Sequence, residues 1–100
     1  MVVQEEISMK DFEELIKIKE INLIDVREVH EFKAGHVKGA VNFPMSEFGA
    51  KYQELTKDEV YYFICRSGNR SGMICEFLNL QGYHGINVLG GMLEWTGEVV

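Results

Sequence analysis

The stretch that decides the fold is "YYFICRSGNRSGMICEFL", Tyr61 to Leu78. It opens inside an apolar run, Val60–Cys65, with the composition of a buried strand. It closes on a helical pattern from about Asn69 to Gln81. There Ile74, Phe77, Leu78 and Gln81 recur at helical spacing, and Gly82 supplies the stop. Between strand and helix lie Cys65 and then Arg66, Ser67, Gly68, Asn69, Arg70 and Ser71. The thiol therefore falls at the C-terminal end of a predicted parallel strand, the edge where open α/β sheets bind ligands.

Working outward, three more apolar runs read as strands: Ile21–Val26, Ala40–Phe43 and Ile86–Leu89. They alternate with helical patterns, which predicts βαβ units and a largely parallel sheet. The first helix has a marked start. Ser8 can cap it, Asp11 stands at capping-box spacing, and Ile7 with Phe12 can form a hydrophobic staple. Phe12, Leu15 and Ile16 then share a face. A short helix is predicted over Glu28–Lys33, stopped at Gly35, and another after Ser46. A last short helix is expected in "GGMLEWTGEVV", carrying Trp95. There is no internal repeat, low-complexity tract or linker.

The 100 residues fit one domain able to bury its own core. Sixteen acidic against ten basic side chains give a net charge of −6, with no basic block. That argues against nucleic acid and anionic membranes as partners. The acidic start "MVVQEEISMKDFEEL" does not resemble a signal peptide, and no apolar run is long enough to cross a bilayer. The expectation is a cytoplasmic protein with reduced thiols. Two cysteines ten positions apart make neither a disulfide framework nor a zinc set. His30, His36 and His84 show no paired metal-ligand spacing, so no metal is expected.

The loop after Cys65 has a chemical logic. Gly68 permits backbone angles closed to other residues. Successive N–H groups can then converge on one point as an anion-binding nest, and the following helix adds its unpaired N–H groups and positive dipole end. Arg66 and Arg70 bring permanent charge. A thiol in such a cradle ionises more easily, with a pKa that can fall from about 8.5 to roughly 3.5–7.5. A cysteine ending an apolar strand is ordinarily a small hydrophobe. A structural turn, however, has no need of two arginines, two serines and a glycine in six residues, so Cys65 is read as reactive.

These residues carry a resemblance. "CRSGNRSG" (Cys65–Gly72) resembles the active-site loop of rhodanese-type sulfurtransferases. "LIDVREVHEFKAGHVKGAVNFP" (Leu23–Pro44) resembles the family's other marker, through Asp25-Val26-Arg27, Glu31-Phe32, Gly35-His36, Gly39-Ala40 and Asn42-Phe43-Pro44. "GGMLEW" (Gly90–Trp95) fits its end. The resemblance implies a single rhodanese-like domain over residues 1–100. It implies a three-layer α/β/α fold with a central, mostly parallel five-stranded sheet.

It also implies a ping-pong transfer without cofactor. Cys65 takes a sulfane sulfur from a small anionic donor such as thiosulfate, becomes a persulfide, and passes the sulfur to cyanide or a thiol. The loop from Arg66 to Ser71 would hold the persulfide, with Arg66 and Arg70 attracting the donor and steadying the leaving sulfite. Neither half-reaction obliges a side chain to move a proton when both nucleophiles are anions, and the loop holds no His, Asp or Glu.

Two alternatives stand beside this reading. One is a persulfide carrier or docking module that trades sulfur with a protein partner. The other is a phosphatase or arsenate reductase of the same fold. Those relatives place five residues between cysteine and arginine, whereas here Arg66, Ser67, Gly68 and Asn69 make four, and Ser71 stands where the longer loop puts its arginine. A tighter ring favours bound sulfur over phosphate.

Asp25 and Arg27 are expected as a buried ion pair bracing the strand end, with a pocket-lining role as the alternative. Glu31 reads as a scaffold partner before a catalytic acid, and His36 as a backbone-bonding histidine in a tight connection. Cys75 lies six residues into its helix, roughly 9 Å along the axis, against the about 7 Å a disulfide allows, so it reads as packing. Trp95, Tyr83 and Phe48 are expected mostly in the core.

Overall fold

The structure, a computed structural model, describes residues 5–100; the first four residues of the acidic N-terminal stretch lie outside it. Chain order is β1 (Glu5–Ile7), α1 (Met9–Ile18), β2 (Asn22–Asp25), α2 (Val29–Lys33), β3 (Val41–Asn42) and α3 (Met45–Lys51). A 3-10 turn (Tyr52–Glu54) leads to β4 (Val60–Ile64), α4 (Asn69–Leu80), β5 (His84–Val88) and α5 (Gly91–Glu94). The five strands form one sheet in the order β1-β5-β4-β2-β3, and every pairing is parallel.

β4 decides which residues face which layer. Tyr61, Phe63 and Cys65 point to one side, where they pack with Phe48 of α3 and with Ile74, Cys75 and Leu78 of α4. Ile64 points to the other, with Met9 and Phe12 of α1, Leu23 and Val88. This is the two-residue alternation of a strand covered on both faces. Each face carries its own apolar layer, and together they make the expected three-layer α/β/α arrangement. Phe12 has no exposed surface, so truncating it to alanine would cost about 3–5 kcal/mol.

The sequence signals for α1 act as expected. The Ser8 hydroxyl accepts from the Asp11 N–H at 3.1 Å, and Ile7 packs against the cluster that holds Phe12. The α4 face departs from expectation. Its buried residues are Ser71, Ile74, Cys75 and Leu78, while Phe77 and Gln81 turn outward. Phe77 instead sets its ring edge-on to Tyr52, with centroids 4.9 Å apart. Trp95 follows α5 as its cap rather than lying within it.

The strand pattern does not predict β1. It is three residues long, and two of them are glutamates; it exists through its pairing of Glu5, Glu6 and Ile7 with Ile86, Asn87 and Val88. β5 starts two residues earlier than Ile86 because His84 and Gly85 also pair with β4.

The connections place a crevice. From β2 the chain steps outward to β3; from β4 it steps the opposite way to β5. The C-terminal ends of β2 and β4 therefore lie side by side at the point where the winding reverses, where such sheets bind ligands. Cys65 and the Asp25–Arg27 segment both leave the sheet there.

Candidate active site

Cys65 follows the last residue of β4 and has no solvent-exposed surface. The loop folds over it because Gly68 adopts φ +99°, a left-handed conformation, and acts as the N-cap of α4. Its N–H thereby points back at the sulfur, with Gly68 N at 3.1 Å from Cys65 Sγ. The Ser71 hydroxyl, in the first turn of α4, lies 3.2 Å from the same sulfur. Burial opposes ionisation of Cys65, but hydrogen bonds from the Ser71 hydroxyl and from the N–H groups of Ser71, Gly68 and Ser67 outweigh it and hold the thiol below its ordinary value. The depression thus comes from converging donors more than from the loop cations.

The other side of the loop is clasped by α5. The N–H groups of Met92 and Leu93 donate to the carbonyls of Cys65 and Arg66 at 2.8 and 2.9 Å. This approach needs a glycine at 91. A Cβ there would sit 2.3 Å from the Cys65 carbonyl oxygen and 2.6 Å from that of Arg66, and Gly91 also has φ +56°. The double glycine of "GGMLEW" is therefore part of the cysteine loop's support.

The two arginines have different settings. Arg66 is exposed, as are Ser67 and Asn69. Arg70 is half-buried and bound to Glu31 of α2, Nη1 to Oε1 at 2.8 Å and Nη2 to Oε2 at 3.0 Å. The Arg70 guanidinium holds the Glu31 carboxyl well down, at about 2. Both arginines are expected to attract the donor; a carboxylate already partners Arg70.

Asp25 and Arg27 form the buried pair the sequence suggested. Arg27 Nη2 lies 2.8 Å from Asp25 Oδ2 and also donates to the Gly35 carbonyl at 2.8 Å. The Arg27 N–H donates to Asp25 Oδ1. Asn42 closes the corner by donating to the carbonyls of Asp25 and Arg27 at 3.0 and 2.9 Å. These bonds brace the end of β2 beside the loop. Positive charge on Arg27 also contributes to the lowered Glu31 carboxyl.

His36 lies outside this constellation. Its Nδ1 is 2.9 Å from the Phe32 carbonyl, and its ring stacks on Phe32 at 3.6 Å. Cys75 is a free, buried thiol on α4, pushed up to about 12 chiefly by burial. Phe48 is core, while Tyr83 and Trp95 are partly buried against the two apolar layers.

Asn87 of β5 joins the loop without a motif that marks it. It is buried, and it bridges the loop: its Nδ2 donates to the Gly68 carbonyl at 3.1 Å and its Oδ1 accepts from the Ser71 hydroxyl at 2.6 Å. The only trace in the sequence is a polar residue inside the apolar run "INVL". Such a residue in a covered strand must find partners.

Comparison with known proteins agrees with the geometry. The chain is 45% identical over 94 residues to "Putative sulfurtransferase YtwF" of Bacillus subtilis, covering 93% of this chain and 91% of that one. It is 38% identical over 95 residues to "Putative sulfur carrier protein YrkF" of the same organism, covering 93% of this chain and 51% of that one. The crystal structure of a rhodanese-like domain protein from Staphylococcus aureus superposes with a TM-score of 0.88 at 29% identity, covering 97% of each chain. Residues 8–98 match the rhodanese-like domain, and the chain belongs to that family of sulfurtransferase-type domains.

Proposed function

We propose that the chain is a sulfurtransferase in which Cys65 is both nucleophile and sulfur carrier, working on thiosulfate or a similar small anionic donor. The convergence of the Gly68 N–H and the Ser71 hydroxyl on Cys65 Sγ carries this reading. Donors so placed stabilise a thiolate, the nucleophilic form. The thiolate attacks the outer sulfur of thiosulfate. A new S–S bond forms, the S–S bond of the donor breaks, and its electron pair leaves on sulfite. In the second half, cyanide or a thiolate attacks the outer sulfur and Cys65 departs as thiolate. No proton moves in either step. Exposed Arg66 is placed to meet the anionic donor, while Arg70 serves mainly to fix the loop through Glu31.

A second reading has a specific motive: a relative at 38% identity is named a sulfur carrier. In that case the same persulfide forms, but a protein supplies or receives the sulfur.

Intact-mass spectrometry tests both. Reduced protein is exposed briefly to thiosulfate, with Cys65→Ser alongside. The expected result is a gain of one sulfur atom on the unmodified chain only, removed by cyanide as thiocyanate. A gain only with a cysteine-desulfurase donor would select the carrier reading. An equal gain on Cys65→Ser, or no gain with either donor, would overturn the assignment of Cys65.

A further inference from the structure

The Ser71 hydroxyl has one proton and two claimants. Cys65 Sγ lies 3.2 Å from its oxygen and Asn87 Oδ1 lies 2.6 Å from it. The orientation of the Asn87 amide is not free. Its NH2 faces the Gly68 carbonyl, which can only accept, so Oδ1 must face Ser71. With a neutral thiol all partners are satisfied: S–H donates to Ser71 and Ser71 donates to Asn87. With a thiolate the hydroxyl must turn to the sulfur, and the buried Asn87 oxygen loses its donor. In a persulfide the charge moves to the outer sulfur, the inner sulfur no longer demands the proton, and the hydroxyl can return.

We propose that Asn87 is a positioning residue that competes with Cys65 for the Ser71 proton, holding back ionisation of the empty site and favouring the sulfur-loaded one. The proposal rests on Cys65 being the working sulfur. Among the described residues, Arg70 and Cys75 on α4 interact electrostatically with that sulfur, Glu31 stands behind Arg70, and Arg66 follows Cys65 in the loop. Glu6 and Glu76 line the shallow hollow on the loop's outer side. The hydrogen bonds of the Asn87 side chain go to Ser71 and the Gly68 carbonyl, not to any of these groups.

The test is a thiolate titration by ultraviolet absorbance on Asn87→Leu, Asn87→Val, Ser71→Ala and the Ser71→Ala/Asn87→Leu pair. The Gly68 carbonyl keeps its bond from the Gly72 N–H in each. At a fixed pH below the unmodified midpoint, the Asn87 variants should show about three- to ten-fold more thiolate, the size of one neutral hydrogen bond. Ser71→Ala should show less, and Asn87→Leu should add nothing in that background. Less or equal thiolate in both Asn87 variants, or an undiminished effect without the Ser71 hydroxyl, would overturn the proposal, because a residue that merely braces the loop predicts that result.

A measurement on the unmodified chain guards against variants that fail to fold. The Asn87 side-chain carbonyl carbon should shift in NMR with the same midpoint as Cys65, and a resonance that stays fixed through that midpoint would overturn the proposal. Sulfite stripping of the thiosulfate-charged protein adds a separate readout, expected at about three- to ten-fold lower sulfite in Asn87→Leu. Failure to form any persulfide would count against the proposed function, whereas the thiol titration would still decide the competition for the Ser71 proton.

Discussion

Glu31 and Arg70 lie 39 residues apart in sequence, and their side chains meet in two parallel hydrogen bonds of 2.8 and 3.0 Å. The pair ties α2 to the first turn of α4, and so holds the cysteine loop from its α4 end. Glu31 also accepts from the Glu28 N–H at 3.0 Å, which fixes the carboxylate before Arg70 reaches it. The arginine is thus pre-oriented by a carboxylate that is itself pre-oriented, an arrangement suited to geometry more than to free positive charge.

This pair should be visible in acid stability. The Glu31 carboxyl falls from 4.5 to about 2 in the fold. A depressed folded value means a contribution that is full above the unfolded value and is lost as pH drops through the folded one. Thermal melts should therefore lose stability between pH 4.5 and about 2, and Glu31→Gln should remove part of that loss. At neutral pH the same substitution should cost about 1 kcal/mol. A variant with the unmodified acid profile would mean that the pair contributes nothing to folding.

The arginines should separate kinetically. Arg66→Ala is expected to raise KM for thiosulfate with less effect on kcat, because an exposed cation gathers an anion before the chemistry. Arg70→Ala should lower both kcat and melting temperature, with about a ten-fold or greater loss in kcat/KM. His36→Gln should leave kcat/KM near that of the unmodified chain. A larger loss from His36→Gln than from Arg70→Ala would place the chemistry elsewhere.

Alkylation should distinguish the two thiols. Cys65 is held below its ordinary value by its hydrogen bonds, while burial pushes Cys75 up to about 12. Both thiols are buried, but only Cys65 has its thiolate stabilised, so iodoacetamide at pH 7 should modify Cys65 faster than Cys75 in the folded protein, as timed peptide mapping would show. Equal labelling of both in the native state would contradict the assigned environments.

Gly91→Ala should be among the most damaging small substitutions. The new methyl would meet two backbone carbonyls, at 2.3 and 2.6 Å, and the residue would also hold a left-handed φ. The conformation alone costs about 1–2 kcal/mol, and the clash adds to it. A fall in melting temperature of more than about 8 °C is expected, together with loss of sulfur transfer. Gly49→Ala, where a Cβ meets nothing within 4 Å, is the control and should be close to neutral.

Strong local signals were readable in the residues alone. The Ser8 start of α1, the apolar run of β4, the Gly68 turn and the α4 that follows it all depend on neighbours in the chain. So does the position of Cys65 at a strand's C-terminal end, because a strand followed directly by a helix start leaves no other place for it. Other features were decided by tertiary structure. β1 exists because β5 offers an open edge to three residues that show no strand pattern of their own. The outward turn of Phe77 follows from which face of α4 meets the sheet. Arg70 became a brace only when folding brought Glu31 to it, and Asn87 came to bridge the cysteine loop only when β5 lay beside β4. A hydrogen bond between residues far apart in the chain leaves no spacing to read, because its partners are chosen by the sheet order and by burial, which denies them water.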